Sequence, residues 1–206
     1  MPTWLAKPWV KPALFVLCLL PAVRLVGAGL LDQLGANPAE ALIRGLGDWT
    51  LRFLCLVLLV TPLRQFTGWA VLARWRRMLG LFVFFYGSLH LLAYAWLDMG
   101  FELTELLPDI VKRPFITMGM LAWGLLLVLA ATSFNRAIKA MGARRWQRLH
   151  RAVYAVAVLG VLHFFWMRAG KQLFGEVAVY TAILGTLLGW RIWWRVRTRV
   201  RGRVPA

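Results

Sequence analysis

The chain holds three histidines, His90, His150 and His163, each in or at the edge of a long apolar run. Neutral imidazole offers one nitrogen lone pair to a metal while its other nitrogen donates a hydrogen bond. Inside a bilayer an unpaired polar nitrogen is costly, so a histidine there is read first as functional. The plain alternative is a hydrogen-bonded core residue, and depth separates the two. His90 lies thirteen residues beyond Arg77 and His163 twelve beyond Arg151. At the helical rise these separations are roughly 20 and 18 Å from the basic boundary. Two imidazoles at one level, on helices running the same way, predict ligation of a single haem iron between them, an arrangement suited to electron transfer. His150 sits at the boundary among Arg144, Arg145, Arg148 and Arg151, where an interfacial histidine needs no special role. Thirteen residues turn it about 140° from His163 on an ideal helix. A second haem on His150 therefore asks for a bend or local rewinding of the helix, with Gly160 as the candidate point, or for a tilted approach.

Membrane helices must position these residues. Of 206 residues 61% are hydrophobic, with 12 Trp and 12 Phe, and the mean hydropathy is +0.66. Soluble domains average about 45–50% apolar. Six runs reach the roughly 20 residues a span needs: about 12–31, 49–66, 78–97, 114–132, 151–168 and 176–194. Lipid offers no partner to unpaired backbone groups, so all six are predicted helical. The expected fold is all-α: one domain over 1–206, a polytopic bundle of six transmembrane helices. The first run reads as a span rather than a cleaved signal, being long, holding Pro21 and Arg24, and lacking a small-x-small site.

The net charge of +17 does not predict a nucleic-acid partner, because the basic residues lie between apolar runs instead of on one polar face. With both termini cytoplasmic, most of the 25 basic residues fall inside: Lys7 and Lys11, Arg64 and Arg74–Arg77, Arg136–Arg151, and the tail Arg191–Arg203. Arg44, Lys112, Arg113, Arg168 and Lys171 fall outside, and all eight acids lie at or near the outer side. The tail is expected to meet anionic lipid.

Several local features carry expectations. Pro21 should bend the first span. Asn37-Pro38 should cap a short helix in the outer loop Asp32–Asp48. Arg24 and Arg52, at similar depth towards the outer face, are either snorkelling anchors or partners for haem propionates. The acids at 98, 102, 105 and 109 oppose Leu103, Leu106, Leu107 and Ile110, the pattern of a helix lying on the outer membrane surface. Gly119 permits close helix packing. Phe84, Phe85, Tyr86 and Trp166 are candidates to pack a macrocycle. Cys18 and Cys55 read as plain buried thiols. There is no GxGxxG and no Walker glycine-lysine pair, so electrons must arrive from another molecule.

The stretches Asn37-Pro-Ala-Glu40, Arg77-Met-Leu-Gly80 leading to His90, Lys112-Arg-Pro-Phe-Ile-Thr-Met-Gly-Met120, Trp146-Gln-Arg-Leu-His150-Arg-Ala-Val-Tyr154 and Gly160-Val-Leu-His163-Phe together resemble the MsrQ (YedZ) family. That family lies within the ferric reductase-like transmembrane superfamily, and the resemblance covers nearly the whole chain. It implies a haem b subunit of a bacterial inner membrane that passes electrons from respiratory quinol to a periplasmic molybdopterin enzyme, MsrP, which reduces methionine sulfoxide in oxidised proteins. FMN is a further cofactor associated with the family. In the superfamily the third and fifth helices each carry two haem histidines. This chain matches three of the four positions with His90, His150 and His163, and the missing one falls around Arg76. Arg77 and Arg148, in the same motifs, are further cofactor-binding candidates. The superfamily's FAD and NADPH domain has no counterpart.

Two other functions compete: a stand-alone ferric or other metal reductase, and a haem-free transporter or assembly factor. The lack of paired acids and of discontinuous helices in related halves speaks against transport.

Overall fold

The computed structural model describes residues 3–169, 172 and 174–201. Lys171 and Arg203, both used above for orientation, lie outside the described residues. The helices are α1 (Val10–Leu30), α2 (Pro38–Thr67), α3 (Leu72–Ala93), α4 (Leu103–Lys112), α5 (Pro114–Ala131), α6 (Asn135–Met141), α7 (Ala143–Leu149), α8 (Val153–Ala169) and α9 (Phe174–Arg201). A wide π turn, Tyr94–Asp98, extends α3, and a tight 3-10 turn, His150–Ala152, joins α7 to α8. No strand occurs among the described residues. Six helical stretches are long and apolar enough to cross a membrane, beginning at Val10, Pro38, Leu72, Pro114, Ala143 and Phe174.

Several expected boundaries shift, the sixth span among them, which runs on to Arg201. Asn37 does cap a helix, its Oδ1 accepting from the Glu40 amide at 3.1 Å with Pro38 in the first turn. That helix does not stop in a loop, however, and runs unbroken to Thr67. Glu40 and Arg44 are one turn apart and pair with each other, so the polar stretch before residue 49 continues as helix. Gly68, at φ +70°, ends α2 in the left-handed conformation that lets its amide reach the Arg64 carbonyl at 2.9 Å. The third span likewise starts earlier than expected, at Leu72.

The core lies where α2 packs against α3, α9 and α1, and where α5 packs against α8 and α3. Tyr86, Leu58, Val83 and Leu184 are its most enclosed side chains. On α1, Phe15, Val16, Leu17, Leu20 and Val23 point outward, as befits a lipid-facing helix. The basic loops and short α6 and α7 gather at one end of the bundle. The acids and α4 gather at the other. Here α4 exposes Leu103, Leu107 and Val111 along one stripe and is tied down by two bonds. The Tyr94 hydroxyl donates to Asp109 at 2.6 Å, and the Thr117 hydroxyl donates to the Ile110 carbonyl at 2.5 Å.

Two prolines inside spans would leave backbone groups unpaired where no water can help. Each has a neighbouring polar side chain. Beside Pro21, the Tyr86 hydroxyl accepts from the Ala22 amide at 3.0 Å and donates to the Cys18 carbonyl at 2.8 Å. It thus bridges a pair that a regular helix would join directly. Pro62 cannot donate to the carbonyl of Leu58, four residues back. Arg191 of α9 donates to that carbonyl at 2.5 Å and to the Leu187 carbonyl at 3.0 Å, with its guanidinium over the Tyr154 ring.

Candidate functional site

His90 and His163 are held by the same device used twice. The Nδ1 of His90, on α3, donates to the carbonyl of Ile43 on α2 at 2.8 Å. The Nδ1 of His163, on α8, donates to the carbonyl of Phe115 on α5 at 2.6 Å. A carbonyl can only accept, so the proton sits on Nδ1 and Nε2 keeps its lone pair. Neither Nε2 has a hydrogen-bond partner among the described residues. Four residues past each carbonyl, one turn along the same helix, stands a glycine: Gly47 after Ile43 and Gly119 after Phe115. A Cβ on Gly47 would lie 3.2 Å from the His90 ring, and one on Gly119 would lie 3.0 Å from His163 Nδ1. The missing side chains are what let the rings lie against the helix backbone.

The two rings lie edge to face, with centroids 6.0 Å apart and planes at 79°. Two metal–imidazole bonds of about 2 Å each, added to the two ring radii, ask for roughly 6 Å between centroids. Among the described residues no group of three or more His, Cys, Asp or Glu could hold a metal ion. A metal between these rings would need its remaining ligands from a non-protein molecule. A planar tetrapyrrole supplies four, so the pair fits a haem.

Both histidines line a cavity of about 440 Å³. Its lining is graded. Leu51, Leu54, Val83, Gly87, Leu126 and Val156 enclose the deep part, while Asn37, Glu40, Arg44, Tyr94, Asp98 and Arg113 surround the end nearest α4. Haem has the same grading, with an apolar edge and a dianionic propionate edge. Of the proposed macrocycle packers, Phe84, Phe85, Tyr86 and Trp166 do not line this cavity; the rings that do include Phe115, Trp123 and Phe164. Phe84 instead backs the Trp123 ring at 6.2 Å, and Tyr86 faces α1. Arg24 and Arg52 are also off the cavity wall. Arg24 is exposed, and Arg52 covers the Trp49 ring and donates to the Tyr180 hydroxyl at 3.2 Å.

His150 is arranged differently. It lines a second cavity of about 240 Å³, with Arg76, Arg77, Ser133 and Trp146 among its neighbours. Its Nε2 meets the Thr132 hydroxyl at 3.1 Å. That hydroxyl already donates to the Val128 carbonyl at 2.8 Å, so Nε2 is the donor here. The Trp146 ring stacks on the imidazole with centroids 3.9 Å apart, and its Nε1 donates to the Thr132 carbonyl. The local rewinding lies at His150–Ala152 itself, and α8 passes through Gly160 without interruption. Arg77 donates to Asn135 Oδ1 at 2.7 Å, while Arg148 is exposed and lines neither cavity. Among the described residues, no side chain with a conventional iron-binding nitrogen or sulfur stands opposite His150 on this wall. Leu54, Val83 and Leu126 belong to both cavities and partition them.

Residues 46–161 match the family model described as "Ferric reductase like transmembrane component". The matched stretch takes in His90 and His150 and stops just short of His163. Relatives named "Protein-methionine-sulfoxide reductase heme-binding subunit MsrQ" align over most of the chain. The protein of Polaromonas naphthalenivorans is 63% identical over 88% of this chain and 83% of its own. That of Herminiimonas arsenicoxydans is 51% identical over 85% of this chain and 80% of its own. The Rhodospirillum rubrum protein is 49% identical over 84% and 82%. The chain is a multi-pass membrane protein that belongs to the MsrQ family, within the ferric reductase-like transmembrane components.

Proposed function

We propose that the protein is the haem b electron-transfer subunit of a methionine sulfoxide reductase system, in which His90 and His163 would hold the haem. The observation that carries this reading is the close imidazole pair itself, with ring centroids 6.0 Å apart and both Nδ1 atoms committed to carbonyls. The names of the relatives support it. The bound haem would supply one-electron redox chemistry. The chain's own contributions are ligand orientation and exclusion of water. The Ile43 and Phe115 carbonyls fix each imidazole's tautomer and raise the basicity of its Nε2. The aliphatic wall keeps the deep part of the cavity dry.

The basic end is assigned to the cytoplasmic side of a bacterial inner membrane, on the bias of Lys and Arg. The His90–His163 cavity then opens towards the periplasm, where a molybdopterin-containing, MsrP-like subunit would collect electrons that originate in respiratory quinol. His150 is the candidate ligand of a second haem, which would have to displace the Thr132 bond; Arg77, on the same wall, is its cofactor-binding candidate. Arg148 has no comparable support, and no residue here is assigned to FMN.

The test is the spectrum and haem content of the purified protein. A low-spin bis-histidine haem is expected, and it should be lost in His90→Ala and in His163→Ala. Full low-spin haem in either variant would sink the pairing.

A further inference from the structure

We infer that Arg44 and Arg113 form a two-armed clamp for the haem propionates at the mouth of the larger cavity. This rests on reading that cavity as the haem site. Apart from the two histidines, they are the only basic residues lining it among the described residues. Each arm stands beside one of the carbonyls that orient the ligands: Arg44 follows Ile43, and Arg113 precedes Phe115 by two residues. A haem seated on His90 and His163 would therefore have one arginine on each side of its edge.

Each arm is tethered by an acid one turn earlier on its own helix or at its end. Glu40 pairs with an Nη of Arg44, and Asp109 takes the Nε of Arg113 at 2.7 Å. The Arg113 contact leaves both of its terminal nitrogens without a partner among the described residues. Asp109 is in turn anchored by the Tyr94 hydroxyl, so the second tether is fixed to the π turn that extends α3. The tethers hold the guanidinium forks at the mouth and leave donors for a second carboxylate, the bidentate geometry in which arginine excels.

Charge narrows the choice of edge. Glu40, Asp48 and Asp98 also line the cavity, so a dianionic edge would be repelled there unless cations meet it. Turning the haem over would bury the propionates among Leu51, Leu54, Leu126 and Val156, which is worse. Among the described residues, the polar mouth with its two guanidinium groups is the edge of the cavity suited to take them.

The experiment compares protohaem with protohaem dimethyl ester, which has the same ring and iron but no propionate charge. Protein made under haem limitation is loaded with either porphyrin in detergent, and transfer to excess apomyoglobin gives the dissociation rate. Charge-assisted bonds of this type predict wild-type protein to hold protohaem longer than the diester by roughly tenfold per arm. Arg44→Met and Arg113→Met should each lose about one arm's preference, and the double variant should release both porphyrins at the same rate. Arg24→Met, off the cavity wall, should behave as wild type. The clamp is overturned if wild-type protein does not discriminate, or if the double variant, with its low-spin spectrum intact, still does. Failure of wild-type protein to give a low-spin spectrum with either porphyrin would instead refute the haem reading, and the clamp with it.

Discussion

Arg191 poses a quantitative question that a double-mutant cycle can answer. Its side chain is only 8% exposed and, among the described residues, has no carboxylate partner. Burying a cation in this way costs several kcal/mol of desolvation, as an order of magnitude. What it gains is the carbonyl of Leu58, which Pro62 leaves without its helical donor, together with the Leu187 carbonyl and the Tyr154 ring. Replacing Arg191 by Met orphans that carbonyl but also relieves the buried charge, so the single variant mixes two opposing effects. The cycle with Pro62→Ala separates them. Alanine restores an amide to Leu58, and the relief of buried charge is common to both backgrounds and cancels. The remaining coupling is the value of one carbonyl partner. An orphaned buried acceptor costs about 1–3 kcal/mol, and side-chain hydrogen bonds within membranes average about 0.6 with a maximum near 1.7 kcal/mol. A coupling of about 1–2 kcal/mol is therefore expected, with Arg191→Met tolerated better in the Pro62→Ala background than in the parent protein. Reversible unfolding in mixed detergent micelles measures all four corners. If Arg191→Met costs the same in both backgrounds to within about 0.5 kcal/mol, the proline-repair reasoning is wrong.

Other expectations follow from the same geometry. Gly119→Ala would push a methyl to 3.0 Å from His163 Nδ1, an atom pinned by its carbonyl bond, so electron paramagnetic resonance should show low-spin haem giving way to high-spin. The overpacking should cost about 1–3 kcal/mol; Gly47→Ala, with its contact at 3.2 Å, should do the same more mildly. Tyr86→Phe removes the hydroxyl that joins Cys18 to Ala22 and should lower stability by about 1–3 kcal/mol in the same unfolding assay. An unchanged midpoint would mean that α1 closes its own bond. His150→Ala should leave the low-spin signal of the His90–His163 pair untouched. If haem content falls by one per chain, His150 carries a second haem; if it is unchanged, the Thr132 bond is its role.

Much of this arrangement is legible in the sequence because a bilayer is a simple solvent. Apolar run length finds the spans, and residue counts from a charged boundary find depth, which is why His90 and His163 pair up before any geometry is known. Depth does not say which way a side chain faces. Arg24 and Arg52 have the right depth for propionates, yet Arg24 faces outward and Arg52 faces Tyr180, while Arg44 and Arg113 look like loop charges until α2 is seen to begin at Pro38. Phe84 and Tyr86 mislead in the same way, being near His90 in sequence but turned from the cavity. Gly47 and Gly119 carry a readable signal, a glycine four residues beyond a carbonyl, but that signal becomes specific only when the histidine on the neighbouring helix is in place. The spacing of His150 and His163 asks for a local rewinding and points to Gly160, whereas the turn lies at His150 itself, since glycine is only one way to unwind a helix.

The partition of Leu54, Val83 and Leu126 has a consequence for energy conservation. An aliphatic barrier offers a hydrated proton no oxygen or nitrogen to hop along, whereas electron tunnelling needs none. Water entering either cavity would therefore meet only aliphatic side chains at the boundary between them. Polarity at these three positions, more than their volume, is what the membrane's electrical tightness would register.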